Sequence, residues 1–167
     1  MDFNVTTVKT LNQALLKAHY NIEFGIYRIK TYATYSGRVD YIHYLADLLS
    51  TDNQQIIPTG RQIKALDIGT GANLVYPLTG SHEYNWHFTG SDIDASSIKI
   101  AKQIAQFNGL KITLKQQKNA SSIFKALLIK DLFHVTLCNP PFHASADEAN
   151  KGTDANGKIY VSAAKRP

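Results

Sequence analysis

Apolar residues recur at helical spacing in two stretches near the start of the chain. In residues 5–20, one face of the predicted helix carries Val8, Leu11, Leu15 and Ala18. In residues 38–49, the inward face of a second helix carries Val39, Ile42, Leu45 and Leu49. Around these helices we expect an irregular connection over residues 24–35 and a polar loop over residues 51–60.

From residue 61 onward, short apolar runs alternate with amphipathic stretches. Four runs are typical of strands: residues 62–68, 86–91, 111–114 and 133–138. Three helices are predicted between them: a short one after residues 69–73, one over residues 95–107 that ends in an Asn108–Gly109 cap, and one over residues 121–128. Repeated strand–helix units predict an α/β fold with a parallel sheet and right-handed crossovers.

The composition fits one compact core. The chain has 167 residues, of which 44% are hydrophobic, and no apolar run approaches the length of a membrane span. Its start lacks the basic and apolar regions of a signal peptide, so we expect a cytoplasmic protein without a membrane anchor. The single cysteine, Cys138, excludes an internal disulfide, and its place in an apolar strand predicts a buried thiol.

Positive charge is concentrated in the later part of the chain, which carries the whole net charge of +5. A local group consists of Lys111, Lys115, Lys118, Lys125 and Lys130. Such a group favours a polyanionic partner such as RNA, although charge alone fits an ordinary solvated surface equally well. The six histidines show no metal-ligand spacing with the cysteine or with paired acids, so no metal site is predicted.

The last predicted strand stops at a stiff loop, Asn139-Pro140-Pro141-Phe142. Two prolines fix successive φ angles and cannot extend a sheet. The Asn139 side-chain carbonyl and the Pro140 backbone carbonyl are two acceptors that suit a planar amino group, and Phe142 offers a face for stacking. This pattern is typical of the active-site loop of amino-group methyltransferases. The alternative is a loop that merely ends a strand.

A glycine turn follows the first strand. Gly69 and Gly71 allow a ligand to approach the backbone closely, but the third glycine of a dinucleotide fingerprint is replaced by Leu74. The acid beside the turn, Asp67, would repel a pyrophosphate and suits a cationic ligand such as the ammonium and sulfonium groups of S-adenosylmethionine.

A second acid follows the second strand. Asp92 stands where a carboxylate can accept both ribose hydroxyls, and the neighbouring Ile93 can flank an adenine. Asp94 is better placed to cap the following helix than to touch a ligand. The order of the motifs matters more than any one of them: the glycine turn, then the acid, then Asn-Pro-Pro-Phe.

With these motifs in this order, the chain resembles the bacterial large-subunit (23S) ribosomal RNA adenine-N6 methyltransferase family, RlmF, and its eukaryotic RNA-modifying relatives. The resemblance extends from about residue 8 to residue 153. The segments that carry it are residues 38–43, 66–73, 76–78, 90–94 and 138–149.

The resemblance implies a Rossmann-like class I sheet that binds S-adenosylmethionine, preceded by N-terminal helices. It implies that Gly69, Asn73, Asp92 and Asn139 face the cofactor or its junction with the substrate, and that Arg38 reaches the carboxylate of the cofactor. Ser121 aligns less securely with a residue near the adenine of the cofactor. Asn139 and Pro140, followed by Pro141, would hold the target N6 amine, with Phe142 against the target base. The implied partner is 23S ribosomal RNA, the implied state is a monomer, and no metal or membrane is implied.

The resemblance ends before the chain does. We expect a helical extension over residues 1–60, a cofactor-binding core over residues 61–153, and a loose, divergent tail over residues 154–167. Family members continue with further strands, so the sheet is expected to be incomplete on its C-terminal side, with one edge exposed and activity impaired. Two other functions stay open: methylation of a release-factor glutamine, and a residual cofactor- or RNA-binding module without turnover.

Overall fold

A computed structural model describes residues 5–24, 35–119, 121–124 and 132–140. Its helices are α1 (Val5–Tyr20), α2 (Tyr35–Thr51), α3 (Val75–Tyr84) and α4 (Ala95–Phe107). Its strands are β1 (Lys64–Ile68), β2 (His87–Asp92), β3 (Thr113–Gln116) and β4 (Val135–Cys138). The predicted tail, most of the predicted irregular connection, and Pro141 and Phe142 lie outside the described residues.

The described strands form one parallel sheet in the order β3-β2-β1-β4. In β1, Ile68 is level with Cys138 of β4 and with Ser91 of β2. Helices α3 and α4 connect successive parallel strands, as parallel pairing requires. The predicted α/β fold with a parallel sheet is therefore confirmed.

The core joins the N-terminal helices to the sheet. One cluster of buried side chains contains Leu16 of α1, Val39 of α2, Leu74 before α3 and Ile104 of α4. A second cluster packs Ile42 of α2 against the sheet around Trp86, Phe88 and Leu137. Trp86 is fully buried, and its indole Nε1–H donates to the Pro58 carbonyl at 2.8 Å. The helices of residues 5–51 thus share their core with the strands that follow.

The inward faces of two helices were predicted correctly, and that of α1 was not. Val39, Ile42 and Leu45 of α2 are buried, as are the residues that recur at helical spacing in α4, namely Ile98, Ala101, Ile104 and Ala105. Among the α1 side chains that the structure describes, residues 10–20, the buried ones are Asn12 and Leu16, whereas Leu11 is 50% exposed and Leu15 is 42% exposed. The side chain of Val8 lies outside the described part, so its predicted place on the inward face stays a prediction. Leucines occur on two faces of α1, so the docked face is decided by the fit of Leu16 into the first cluster.

Two further predictions need correction. Residues 121–124 form turns rather than the start of a helix, because the buried Gln117 side-chain amide donates to the carbonyls of Ser122 and Ile123 and ties down this segment. Cys138 is exposed rather than buried. In β4, Leu137 is buried and Val135 packs partly buried against the same cluster. Thr136 and Cys138 occupy the opposite face, since side chains alternate along a strand.

Candidate functional site

The predicted motifs meet at the carboxyl edge of the sheet. The row after Cys138, Ile68 and Ser91 holds Asn139, Gly69 and Asp92, because the strands pair in register. In open parallel sheets, ligands bind outside this edge. The three motifs, distant in sequence, therefore lie on neighbouring strands at the same height.

The glycine turn is held against β2 by backbone hydrogen bonds. The N–H groups of Gly69 and Thr70 donate to the Ser91 carbonyl at 2.8 and 3.0 Å. Gly69 has φ of 72° and Gly71 has φ of 63°, a region that costs other residues about 1–2 kcal/mol. A Cβ at either glycine would meet no atom within 4 Å, so backbone conformation, not crowding, accounts for these glycines.

A cleft of about 300 Å³ opens above the turn. It is lined by Arg38, Asp67, Gly69, Thr70, Gly71, Ala72, Asn73, Val75, Tyr76, Asn139 and Pro140. The structure thus brings together residues from α2, from the β1 turn and from the end of β4. Most of the residues predicted for cofactor and target amine are among them.

Asp67 is the most deeply placed charged group of the cleft, with 2% of its surface exposed. Burial raises its pKa to about 7, an effect that the nearby Asp92 carboxylate increases. The Thr70 hydroxyl, which donates to Asp67 Oδ2 at 2.6 Å, and the Arg38 guanidinium oppose this rise. At neutral pH the carboxyl is therefore poised between its neutral and charged forms, and a cation in the cleft would favour the charged form.

Asp92 is half-buried and fixes the loop around it. Its Oδ2 accepts the Gly71 N–H at 2.8 Å, and its Oδ1 accepts the Asp94 N–H at 2.9 Å. Each carboxylate oxygen can accept a further hydrogen bond, so ligand hydroxyls remain possible partners. Asp94 caps α4 as predicted, accepting the N–H groups of Ser96 and Ser97, and Ile93 is 61% exposed.

Ser121 does not line the cleft. It is exposed, and its hydroxyl and N–H both donate to Asn119 Oδ1 at 2.6 and 3.0 Å. Its predicted contact with the cofactor stays a prediction, as do the roles of Pro141 and Phe142, which lie outside the described residues.

Four residues that line the cleft were not predicted as site residues, and two of them, Thr70 and Tyr76, carry hydroxyl groups. Thr70 lies three positions after Asp67, the spacing at which a short hydroxyl side chain can bond an acid across a turn. Tyr76 lines the cleft at the start of α3, and its ring centroid lies 5.7 Å from that of Tyr41. Burial raises the pKa of Tyr76, which is therefore a neutral hydrogen-bonding group at physiological pH.

The described residues contain no group of histidine, cysteine and acidic side chains that could hold a metal ion. Among the helices of the described ranges, none is both long and apolar enough to cross a membrane. The described side chains that line the cleft offer one carboxyl group, two amides, hydroxyls and a guanidinium.

Comparison with known sequences gives close relatives. A family model described as RNA methyltransferase, Methyltransf_10, matches residues 1–165. Ribosomal RNA large subunit methyltransferase F of Pseudoalteromonas translucida is 71% identical over 153 residues, 90% of this chain and 49% of the relative. The protein of the same name from Pseudomonas savastanoi pv. phaseolicola is 51% identical over 150 residues, 87% of this chain and 46% of the relative. The chain spans about half the length of these curated relatives.

Solved structures share the fold. The delta-N METTL16 methyltransferase domain superposes with a TM-score of 0.71 at 25% identity, covering 95% of this chain and 71% of that one. The human Mettl16 catalytic domain in complex with the MAT2A 3′UTR hairpin 6 gives 0.64 at 27% identity, covering 89% and 49%. The predicted Rossmann-like class I methyltransferase fold is confirmed by these likenesses.

Proposed function

Because the chain belongs to the Methyltransf_10 family of RNA methyltransferases, we propose that it carries the cofactor site and target-amine site of an S-adenosylmethionine-dependent adenine-N6 methyltransferase. The proposed substrate is an adenine of 23S ribosomal RNA. The observation that carries the proposal is the joint lining of one cleft by Asp67, the glycine turn, Asn139 and Pro140. The residues proposed to bind the cofactor and the two acceptors proposed for the target amine therefore lie in the same cleft.

The residues of the cleft fit the proposed cofactor. S-adenosylmethionine carries an ammonium, a sulfonium and a carboxylate, and it supplies an electrophilic methyl group. Asp67 is a buried acid whose charged form a cation would stabilise, and Arg38 is a half-buried cation on the same cleft. The glycine turn leaves the backbone accessible, and the volume of about 300 Å³ is at the small end of ligand pockets.

The end of β4 fits the proposed target. Asn139 Oδ1 and the Pro140 carbonyl oxygen are hydrogen-bond acceptors, and Pro140 has no backbone N–H that could compete for the same partner. By accepting the two hydrogens of an N6 amine, they would orient its lone pair for an in-line attack. The nitrogen becomes acidic once it gains a methyl group, so its proton can pass to water without a general base. Catalysis would come chiefly from orientation and exclusion of water.

The names of the relatives support ribosomal RNA as substrate, and one structural neighbour at 27% identity was solved with an RNA hairpin. We further propose that the protein acts as a monomer in the cytoplasm. Methylation of a release-factor glutamine, which uses a similar Asn-Pro-Pro-aromatic loop, is the competing substrate. A binding module without turnover is the competing function, since the chain spans about half of its relatives.

Calorimetry and methyl transfer test the proposal together. We expect the unmutated chain to bind S-adenosylmethionine and to transfer a radiolabelled methyl group to 23S ribosomal RNA stripped of protein. Asn139→Ala should lower transfer by at least about a hundredfold, because both the orientation and the acceptor are lost. Asn53→Ala, which removes an exposed loop asparagine, is the matched control and should leave transfer unchanged.

Three outcomes would contradict the proposal. Labelling of a release factor in place of ribosomal RNA would assign the protein substrate. Cofactor binding without any transfer, and unaffected by Asn139→Ala, would indicate the non-catalytic module. Absence of cofactor binding would exclude a methyltransferase site in this chain.

A further inference from the structure

One flank of the sheet carries lysines and no acids. Residues 95–119, which comprise α4, β3 and their connections, contain five lysines and neither aspartate nor glutamate. We call this surface the lysine flank; its residues are Lys99, Lys102, Lys111, Lys115 and Lys118. Lys125 and Lys130, which belong to the same basic part of the sequence, lie outside the described residues.

Four lysines of the flank project into solvent without a carboxylate partner. Lys99, Lys102, Lys111 and Lys118 are exposed, and none is paired with an acid within the part of the chain that the structure describes. Three acids lie beside the flank: Asp94 caps α4, Glu23 is ion-paired with Lys17, and the Asp92 carboxylate accepts backbone N–H groups. The ammonium groups of these four lysines are therefore available to an anionic ligand.

The lysine flank adjoins the cleft through Asp92, whose carboxylate accepts the N–H of the cleft residue Gly71 at 2.8 Å. The Gln117 N–H donates to the Asp92 carbonyl at 2.7 Å, which places Lys118 one residue beyond a backbone contact with the acid of the cofactor end. Lys99 lies near the start of α4, which begins three residues after Asp92. β3 is two strands from β1, a distance of about 10 Å, so a chain bound at the cleft can also reach the flank.

An exposed aromatic ring accompanies these charges. Phe107, at the end of α4, is 59% exposed and precedes Lys111 by four residues. Lysines that follow a phosphate backbone, together with an exposed ring on which a base can stack, are the usual elements of single-stranded nucleic-acid binding.

From these observations we infer that the lysine flank binds the phosphate backbone of the RNA beside the target adenine. This inference rests on the proposed function, since it assigns the contact surface for the same substrate. The target base would enter at Asn139 while neighbouring phosphates lie along β3 and α4. The flank would then supply affinity, and the cleft would supply the chemistry.

The salt dependence of RNA binding tests the inference. The double variant Lys111→Gln/Lys118→Gln removes two charges that border β3, and Arg61→Gln/Lys64→Gln removes two exposed charges elsewhere. Both variants change the net charge from +5 by the same amount. Binding of a labelled 23S ribosomal RNA fragment is measured by fluorescence anisotropy between 50 and 300 mM KCl.

We expect the slope of log K against log salt to fall by about 2 for the lysine-flank variant, since each lost phosphate contact removes about 1. The control variant should keep the slope of the unmutated chain. Calorimetric binding of S-adenosylmethionine should be equal in all three proteins, which shows that the cleft is intact. The single variants Lys118→Gln and Lys102→Gln, each expected to lower the slope by about 1, replace the double variant if it does not fold.

Equal slopes for the lysine-flank variant and the control would overturn the inference while leaving methyl transfer, and so the proposed function, in place. Absence of RNA binding by the unmutated chain would also overturn it. If methyl transfer were absent as well, the proposed function would fail independently. Displacement of the RNA by polyglutamate of equal charge would assign the flank to an acidic protein. If the lysine-flank variant aggregated and its salt slope did not change, the inference would be wrong, and the lysines would instead protect the β3 edge of the described sheet against aggregation.

Discussion

Replacing the buried acid of the cleft should remove one source of the pH dependence of folding stability. Asp67 has a pKa of about 7 in the folded protein and 3.8 as its ordinary value. Between these values the native state holds a proton that the unfolded state has lost, so the free energy of unfolding falls as pH rises. The slope is about 1.4 kcal/mol per pH unit until the pH approaches 7. Integration between pH 5 and pH 7 gives a loss of about 2 kcal/mol that Asp67→Asn should abolish.

Urea unfolding provides the measurement. The chain has one tryptophan, Trp86, which is fully buried and therefore reports global unfolding by its fluorescence. The quantity to follow is the free energy of unfolding of the unmutated chain minus that of Asp67→Asn, at pH 5, 6 and 7. The other ionisable groups are the same in both proteins, so their contribution to the pH dependence cancels in the difference.

Asp94→Asn is the control for this experiment. Hydrogen bonds from Ser97 and Ser96 hold the pKa of Asp94 below its ordinary value. The stability that it contributes is lost only as the pH falls through that low pKa, so its difference from the unmutated chain should stay constant between pH 5 and pH 7. A constant difference for Asp67→Asn as well, or one that grows in favour of the unmutated chain with rising pH, would refute the reasoning about burial.

Two further pairs of variants test the turn and the first helix. Gly71→Ala should cost about 1 kcal/mol of stability and weaken the binding of S-adenosylmethionine measured by calorimetry, because the φ of 63° at Gly71 positions the N–H that Asp92 accepts. Gly109→Ala, at a φ of 65°, should cost the same stability and leave this binding unchanged. If both variants bound S-adenosylmethionine equally well, the glycine turn would have no part in cofactor binding. Leu16→Ala should cost about 2–5 kcal/mol in urea unfolding, and Leu15→Ala less than about 1 kcal/mol; the reverse order would place the other face of α1 against the core.

The sheet and the meeting of its motifs were predictable because parallel strands impose strong constraints. Each apolar run followed by a helix requires a crossover, and crossovers bring all strand ends to one edge. The positions of Gly69, Asp92 and Asn139 in one row follow from that rule, together with the observed register. The two ends of α4 could also be predicted from the sequence: Asp94 caps its N-terminus, and Gly109 takes the left-handed conformation after its C-terminus.

The errors arose where several local patterns were compatible with the same residues. Leucines on two faces of α1 give no internal reason to choose Leu16 over Leu15, and the choice depends on contacts with α3 and α4. Serine is common both at helix caps and in turns. Here Ser121 lies in a turn, because its N–H and hydroxyl donate to the Asn119 side chain. Cys138 was predicted as buried because its strand is apolar, but β4 has only one described neighbour in the sheet, and its outer face is exposed.

The electrostatic state of the cleft could not be predicted from the motif that contains it. Sequence reasoning treated Asp67 as a fixed negative charge that attracts a cation. In the fold, burial makes that charge costly, and α2 brings Arg38 from far upstream to oppose the cost only in part. A bound cation would offset the rest of the cost of ionising Asp67. Ionisation of Asp67 and binding of a sulfonium or ammonium group therefore favour each other. The acid therefore discriminates between a cationic ligand and a neutral one of the same shape more strongly than an exposed, permanently charged carboxylate would.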